Sequence, residues 1–234
     1  MSEDPPRKRM VKPPSGGDGG GRATPARLRT AKGRTHSSQA WLERQINDPF
    51  SAKARAMGYR SRAAFKLSEI DDKARLIKRG SKIIDLGAAP GGWVQIAVER
   101  GAGMVVGVDL LPIDPLPPAE LIQMDFTDPA CAPLLIEKLG GPPDLVLSDM
   151  APNTVGHRQT DHLRIVSLIE VAADFAMSVL KPGGAFLTKS FQGGEVADVI
   201  ARLKPRFAEV KSVKPKASRA DSSEVYLLAT GFKG

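Results

Sequence analysis

The fold is decided by the stretch Lys82-Ile83-Ile84-Asp85-Leu86-Gly87-Ala88-Ala89-Pro90-Gly91-Gly92. A short apolar run that ends in glycines is typical of a buried strand that feeds a tight turn. Glycines let the backbone approach a ligand closely, and the helix predicted from Gly92 to Arg100 offers free N–H groups at its start. The pattern predicts a nucleotide-binding turn, although a tight connection that binds nothing has the same glycines.

Outward from this turn, strand-like and helical segments alternate. Further strands are predicted at Met104 to Asp109, Leu121 to Met124, Asp144 to Asp149 and Ala185 to Lys189. Helices are predicted from His162 to Leu180 and over a segment whose buried face carries Ala64, Leu67, Ala74 and Ile77. The last two strands, Phe207 to Val213 and Glu224 to Thr230, are joined without a helix and should pair antiparallel. The predicted fold class is α/β and Rossmann-like, a mostly parallel seven-stranded sheet with an antiparallel C-terminal edge strand and helices on both faces.

Charge is unevenly distributed over the 234 residues. The net charge is +8, and residues 1–40 carry nine Lys or Arg residues against three acids. With few large apolar residues to bury, residues 1–40 are predicted to form a disordered basic arm, either a solubilising tail or a polyanion-binding arm. One domain is predicted at 41–234. The single cysteine, the scattered histidines and the short apolar runs predict no disulfide, no metal site and no membrane span. We therefore expect a cytoplasmic protein and, by default, a monomer.

Acidic residues follow the glycine turn at a spacing that suits a nucleotide. Asp109 ends the second strand 22 residues beyond Gly87, where its carboxylate can accept hydrogen bonds from ribose hydroxyls. Asp125 closes the next strand and can accept one from an adenine amino group, although both acids also suit turn capping. Pro90 lacks the N–H that a phosphate would use, and no second domain is predicted to present a hydride acceptor. S-adenosylmethionine is therefore favoured over a dinucleotide as cofactor.

Charged residues also lie at the ends of later strands, where parallel sheets bind their ligands. Asp149 ends one apolar run and Lys189 ends another. Glu224 opens the antiparallel last strand, so it should lie at the same edge, and Lys66 can join the three from the helix before the first strand. The structural alternatives are turn-capping acids and surface lysines.

Several motifs resemble those of one enzyme family. Ser61 to Leu67, Asp85 to Trp93, Asp109 to Pro112, Leu147 to Asn153 and Lys214 to Glu224 closely resemble the FtsJ/RrmJ family of ribose 2′-O-methyltransferases. The resemblance runs from about residue 45 to the C-terminus and implies a class I methyltransferase fold that uses S-adenosyl-L-methionine. The catalytic tetrad that it implies falls on Lys66, Asp149, Lys189 and Glu224. The cofactor contacts that it implies fall on Gly91, Trp93, Asp109, Asp125 and Asp149. In the bacterial branch the implied substrate is a uridine of 23S rRNA in the assembled large ribosomal subunit.

The expected reaction is in-line attack of a ribose 2′ oxygen on the methyl group of the cofactor. Lys189 is the candidate base, because burial and the ammonium group of Lys66 favour its neutral form. Asp149 and Glu224 favour the charged form instead, so an electrostatic anchor is the alternative role for Lys189.

Two basic clusters predict RNA as the macromolecular partner, with no role for DNA. Lys53, Arg55, Arg60 and Arg62 flank Lys66, and residues 204–219 hold six basic residues against Glu209. Both clusters are also compatible with ordinary solvated faces. Three other functions stay open: tRNA ribose methylation, a nonenzymatic RNA-binding or assembly factor, and a dinucleotide-dependent oxidoreductase.

Overall fold

The structure, a computed structural model, describes residues 47–151, 158–193, 196–219 and 222–234. The side chains of residues 158–163 lie outside that description. The predicted arm at 1–40, the predicted domain start at 41 and residue Asn153 of the strand-end motif also lie outside the described residues.

Helices and strands alternate along the described chain. In order they are α1 (Pro49–Ala56), α2 (Ala63–Ala74), β1 (Lys82–Leu86), α3 (Gly92–Glu99), β2 (Met104–Asp109), β3 (Glu120–Gln123), α4 (Cys131–Leu139), β4 (Leu145–Ser148), α5 (Arg158–Val179), β5 (Ala185–Phe191), α6 (Ala197–Leu203), β6 (Phe207–Val213) and β7 (Glu224–Phe232). The seven strands form one sheet in the order β3-β2-β1-β4-β5-β7-β6. Strand β7 is antiparallel to both neighbours, and every other pair of adjacent strands is parallel.

This architecture confirms the predicted fold class, with one change at the C-terminal side of the sheet. Strand β7 is antiparallel as predicted, but it lies between β5 and β6, so β6 forms the edge. The burial of the two strands explains the order. Residues 225–229 of β7 are all buried, as in a strand covered on both faces, whereas β6 exposes four of its seven residues.

Helices cover both faces of the sheet. On one face, α2 and α3 pack on Ile83, Leu147 and Tyr226. On the other face, α4, α5 and α6 pack on a second apolar cluster that includes Ile84 and Leu86. Because side chains alternate along a strand, β1 contributes to both clusters, and its position 85 faces the same side as Ile83.

The helix before β1 is shorter than predicted. Helix α2 ends at Ala74, and Arg75 takes a left-handed conformation with φ of 49°. The prediction that Ile77 belongs to the helical face is therefore wrong, although Ile77 is buried. Its backbone N–H donates a 2.8 Å hydrogen bond to the Asp71 carboxylate, which holds the connection to β1 in place.

Candidate active site

The glycine turn between β1 and α3 is held closely against its neighbours. The backbone N–H groups of Gly87 and Ala88 both donate to the carbonyl of Val108, at 2.8 and 3.1 Å. Gly87 has a φ of +73°, and a Cβ atom there would lie 2.2 Å from Cγ of Met150. Neither the backbone angle nor the available space admits a side chain at Gly87, so the bare backbone reaches the end of the sheet as predicted.

A cavity of about 700 Å³ lies beside this turn. Its lining consists of Gly87, Ala89, Val108, Asp109, Leu110, Leu111, Met124, Asp125, Phe126, Thr127, Asp149, Met150, Ala151, Arg164, Ser167, Leu168 and Val171. Most of these side chains are apolar, and the acids among them are Asp109, Asp125 and Asp149. Three of the predicted cofactor-contact residues therefore share one cavity at the carboxyl ends of β2, β3 and β4.

Backbone hydrogen bonds orient two of these acids. Asp109 Oδ2 accepts from the Ala89 N–H and Oδ1 accepts from the Leu111 N–H, both at 2.9 Å. Asp125 Oδ1 accepts from the hydroxyl and the N–H of Thr127, and these bonds lower the pKa of Asp125. A carboxylate has about four acceptor positions, so both side chains keep capacity for a ligand.

Asp85, on β1 below the turn, is a buried acid without a partner. It is 1% exposed, and neither carboxylate oxygen has a hydrogen-bond partner among the described residues. Burial, together with the charges of Asp149 and Asp109, raises the pKa of Asp85 well above its ordinary value of 3.8. Asp85 is therefore held close to its neutral form, while the carboxylates of Asp109 and Asp149 bring negative charge to this end of the sheet, which favours a cationic ligand.

Gly91 and Trp93, the other two predicted cofactor contacts, are not among the residues that line the cavity. Gly91 precedes α3 with a φ of 105°. Trp93 is 3% exposed and donates its indole N–H to the carbonyl of Ala63 at 2.9 Å. Its ring packs against that of Tyr226 at a centroid distance of 5.6 Å. Cofactor contacts at Gly91 and Trp93 stay predictions.

Lys189 and Asp149 form an ion pair at the same edge of the sheet. The Lys189 Nζ atom lies 3.0 Å from Asp149 Oδ1 and donates a 2.8 Å hydrogen bond to the backbone carbonyl of Asp149. The two side chains are only 11% and 16% exposed. Two contacts to one residue fix the position of this ammonium group beside the cavity.

Lys66 and Glu224 form a second ion pair, with 2.7 Å between Lys66 Nζ and Glu224 Oε1. The same oxygen accepts a 2.8 Å hydrogen bond from the hydroxyl of Ser218. Lys66 is 8% exposed, so it is a buried helix residue and not an ordinary surface lysine. The structure thus arranges the four predicted catalytic residues as two partly buried ion pairs.

Tyr226 joins the two pairs and was absent from the sequence-based prediction. Its hydroxyl donates a 2.7 Å hydrogen bond to Asp149 Oδ1, and Lys66 Nζ lies 5.7 Å from its ring centroid. Burial and the charges of Asp149 and Glu224 raise the pKa of Tyr226 well above 10.0, so the phenol stays a neutral donor. The position of Tyr226 in its strand could have indicated this role. Tyr226 lies two residues after Glu224, on the same face of the strand, and pairs with Lys189 on the neighbouring strand.

The basic cluster around Lys66 divides into two kinds of residue. The guanidinium group of Arg62 bonds to the Asp48 carboxylate and the carbonyl of Ala217, and its side chain is 14% exposed. Lys53 and Arg55 on α1 are exposed. The interpretation of the whole cluster as a phosphate-binding face is therefore wrong for Arg62, because internal contacts occupy its guanidinium group.

In the part of the chain that the structure describes, no group of His, Cys, Asp and Glu residues could hold a metal ion. No helix within the described ranges is long and apolar enough to cross a membrane.

Comparisons with known proteins identify the family. The family model for FtsJ-like methyltransferases matches residues 59–232. A protein of Caulobacter sp. (strain K31), named "Ribosomal RNA large subunit methyltransferase E", is 73% identical over 225 residues, which cover 96% of this chain and 100% of that protein. A protein of Gluconobacter oxydans (strain 621H) with the same name is 61% identical over 206 residues, 88% of this chain and 77% of that protein.

A solved structure agrees with these relatives. A crystal structure from Plasmodium falciparum, described as a ribosomal RNA methyltransferase, superposes with a TM-score of 0.67 at 30% identity and covers 75% of this chain and 100% of that chain. The range matched by the family model includes the glycine turn, the acids of the cavity and both ion pairs. This chain belongs to the FtsJ-like methyltransferase family.

Proposed function

We propose that this protein transfers a methyl group from S-adenosyl-L-methionine to the ribose 2′-hydroxyl of a uridine in 23S rRNA, within the assembled large ribosomal subunit. The proposal is carried by the two partly buried ion pairs, Lys66–Glu224 and Lys189–Asp149, which lie beside a cavity that suits a nucleoside. Relatives that are 73% and 61% identical bear the name of a large-subunit rRNA methyltransferase, which supports this substrate over tRNA.

The cavity residues fit S-adenosylmethionine better than a dinucleotide. The cofactor is a nucleoside with a positively charged sulfur and an ammonium group, and it supplies an electrophilic methyl group when bound. Asp109 and Asp149 bring negative charge to this end of the sheet, which would oppose an anionic pyrophosphate. Asp109 and Asp125 keep free acceptor positions for ribose hydroxyls and an adenine amino group. Gly91 and Trp93 complete the proposed contacts.

Lys189 is the proposed base that accepts the proton of the 2′-hydroxyl. Its Nζ atom bonds both the side chain and the backbone carbonyl of Asp149. A neutral amine that donates one N–H to the backbone carbonyl of Asp149 and lies beside its carboxylate could present its lone pair to the substrate hydroxyl. Asp149 and Tyr226 then fix the orientation of that lone pair. A charged Lys189 would instead act as an electrostatic anchor for the ribose.

Lys66 and Glu224 are proposed to position the acceptor nucleotide. The Glu224 carboxylate holds the Lys66 ammonium group on the α2 side of Tyr226, and the Ser218 hydroxyl holds that carboxylate. In this arrangement Lys66 can donate to the ribose or to the adjoining phosphate while Lys189 approaches the 2′ oxygen. Alignment of this kind is the main contribution that a protein makes to an in-line transfer.

Exposed lysines beside the site support RNA as the substrate class. A groove of about 230 Å³ between α2 and β6 is lined by Lys73, Lys211 and Lys214 together with apolar residues and Glu69. Lys53 and Arg55 are exposed on α1. Such basic surfaces bind phosphates, and exposed aromatic stacking groups are not needed where RNA shape and backbone are recognised.

The test is methyl transfer from labelled S-adenosylmethionine to three purified RNAs: large ribosomal subunits, free 23S rRNA and tRNA. We expect transfer to large subunits, at a single ribose that nuclease mapping then identifies. Preferential transfer to tRNA would establish the tRNA alternative. Cofactor binding without transfer to any RNA would support an assembly factor, and binding of NAD in its place would support an oxidoreductase.

Variants of Lys189 separate the two roles of that residue. As a base, Lys189→Ala should lower the rate of transfer about 100-fold or more while cofactor binding is unchanged. Lys189→Arg keeps the charge but cannot release a proton, so it should be equally inactive. Retained activity in Lys189→Arg would support the anchor, and near-normal activity in Lys189→Ala would contradict both roles. Lys138→Ala, an exposed lysine on α4, is the control.

A further inference from the structure

Arg60 lies in the short connection between α1 and α2, next to the exposed basic residues of α1. Its guanidinium group is already occupied by three backbone carbonyls. Nη1 donates to the carbonyls of Pro90 and Asp114 at 3.2 and 2.7 Å, and Nη2 donates to that of Pro115 at 2.8 Å. Hydrogen bonds from a charged donor are among the stronger ones in proteins.

The three carbonyls belong to two separate parts of the cofactor site. Pro90 lies in the glycine turn. Asp114 and Pro115 lie in the connection between β2 and β3, which also carries Leu110 and Leu111 of the cavity lining. These two leucines are 66% and 62% exposed, whereas Ile113 and Leu116 of the same connection are partly buried against the core, so the cavity-lining end of this wall has little apolar packing of its own.

The backbone of Arg60 is itself fixed to the helix that follows the turn. Its N–H donates a 2.7 Å hydrogen bond to the Gln95 side chain on α3, and the amide of Gln95 donates back to the Gly58 carbonyl at 3.0 Å. The turn also makes room for Arg60, because a Cβ atom on Gly91 would lie 2.8 Å from Nη1. The contact between Arg60 and the glycine turn therefore depends on Gln95, which holds the backbone of Arg60, and on Gly91, which leaves room for its guanidinium group.

We propose that Arg60 is a positioning residue for the cofactor and not a ligand of RNA phosphates. Arg60 ties the connection between β2 and β3, which forms one wall of the cavity, to the glycine turn. The proposal rests on the proposed use of S-adenosylmethionine. The three carbonyls are shared between two nitrogens of the planar guanidinium group, and the single ammonium nitrogen of lysine, on a shorter side chain, does not reproduce that geometry.

The experiment compares Arg60→Lys and Arg60→Gln with Arg55→Gln, which removes an exposed arginine from the neighbouring helix. Calorimetry measures S-adenosylmethionine binding, steady-state kinetics measures KM for large subunits, and hydrogen exchange follows residues 110–116 in the ligand-free protein. We expect both Arg60 variants to weaken cofactor binding about tenfold and to speed exchange in 110–116, with KM for RNA changed less than twofold. Arg55→Gln should leave cofactor binding unchanged and make RNA binding less dependent on salt.

Each outcome bears on one proposal. If the unaltered protein does not bind S-adenosylmethionine, the proposed function fails, and the exchange data alone then decide whether Arg60 holds the wall. If the unaltered protein binds the cofactor and Arg60→Lys binds it equally well, the positioning role is wrong. The role is also wrong if Arg60→Lys raises KM for RNA more than it weakens cofactor binding. Should Arg60→Gln fail to fold, Arg60→Lys still supplies both readouts.

Discussion

Asp85 provides a prediction about stability that can be tested without any substrate. Its carboxyl group is buried without a hydrogen-bond partner among the described residues, and burial raises its pKa well above 3.8. The folded protein therefore holds a proton on Asp85 at pH values where the unfolded chain has already released it. Between the unfolded and the folded pKa, stability must fall as the pH rises. Replacement by asparagine removes this titration.

The size of the effect follows from proton linkage. One proton bound by the folded state alone changes the free energy of unfolding by about 1.4 kcal/mol per pH unit. We subtract the free energy of unfolding of the unaltered protein from that of Asp85→Asn. This difference should rise with the same slope above about pH 4 and level off at the pKa of Asp85 in the folded protein. For a chain of this length the corresponding change in Tm is about 3 to 5 °C per pH unit.

The assay is calorimetric or urea unfolding of both ligand-free proteins at half-unit intervals from pH 4.5 to 8. Asp48, Glu69 and Asp144 have lowered pKa values, so their stabilisation is lost on acidification, but they are common to both proteins and cancel in the difference. Glu137→Gln, which changes an exposed acid on α4, is the control and should give a difference that does not depend on pH.

The test depends on how the difference in free energy of unfolding between the two proteins changes with pH. The sign of that difference at a single pH is not informative. A buried asparagine amide also lacks partners at this position, which adds a penalty that is the same at every pH. A difference that stays flat from pH 4.5 to 8, or that falls with rising pH, would show that Asp85 is not protonated in the folded protein. The description of Asp85 as a neutral acid beside the charges of Asp149 and Asp109 would then be wrong.

Two further substitutions test the site directly. Gly87→Ala places a Cβ atom 2.2 Å from Met150 Cγ at a φ of +73°. It should weaken cofactor binding at least tenfold in a calorimetric titration. The control is Gly58→Ala, which has a similar φ but no atom within 4 Å and should leave cofactor binding unchanged. A tenfold loss in both variants would point to backbone strain alone. Tyr226→Phe removes the hydrogen bond to Asp149 Oδ1. In an assay of methyl transfer to large subunits, it should lower kcat about tenfold with little change in KM for RNA. An unchanged kcat would contradict the orienting role of this hydroxyl.

The backbone of the site was predictable because its signals are local. Each strand end is a short apolar run followed by a polar residue, and the rule that ligands bind at the carboxyl ends of parallel strands places those residues together. Asp109 and Asp149 were located in this way, and the antiparallel direction of β7 placed Glu224 among them. Lys66 lies on a helix, where a single lysine gives no signal of burial, and only the family motif singled it out.

The contacts that complete the site were not predictable because they join distant parts of the chain. Tyr226 bonds to a residue 77 positions away, and Arg60 reaches carbonyls 30 to 55 positions away. Asp85 appeared in the sequence only as the last polar residue before the glycines. Its effect on the site comes from the lack of a partner, and a sequence pattern carries no information about missing partners.

The two sides of the proposed site differ in how their charges are balanced, and this difference has a consequence for turnover. On the acceptor side each lysine has its own carboxylate, so the ion pairs are close to neutral without a ligand. On the donor side Asp109 and Asp125 are held by backbone N–H groups and by the hydroxyl of Thr127, which carry no charge of their own. A cationic cofactor offsets that charge, whereas the product of methyl transfer has lost the positive charge at sulfur. The same acids should therefore hold the methyl donor more tightly than the spent cofactor, which favours exchange after each transfer.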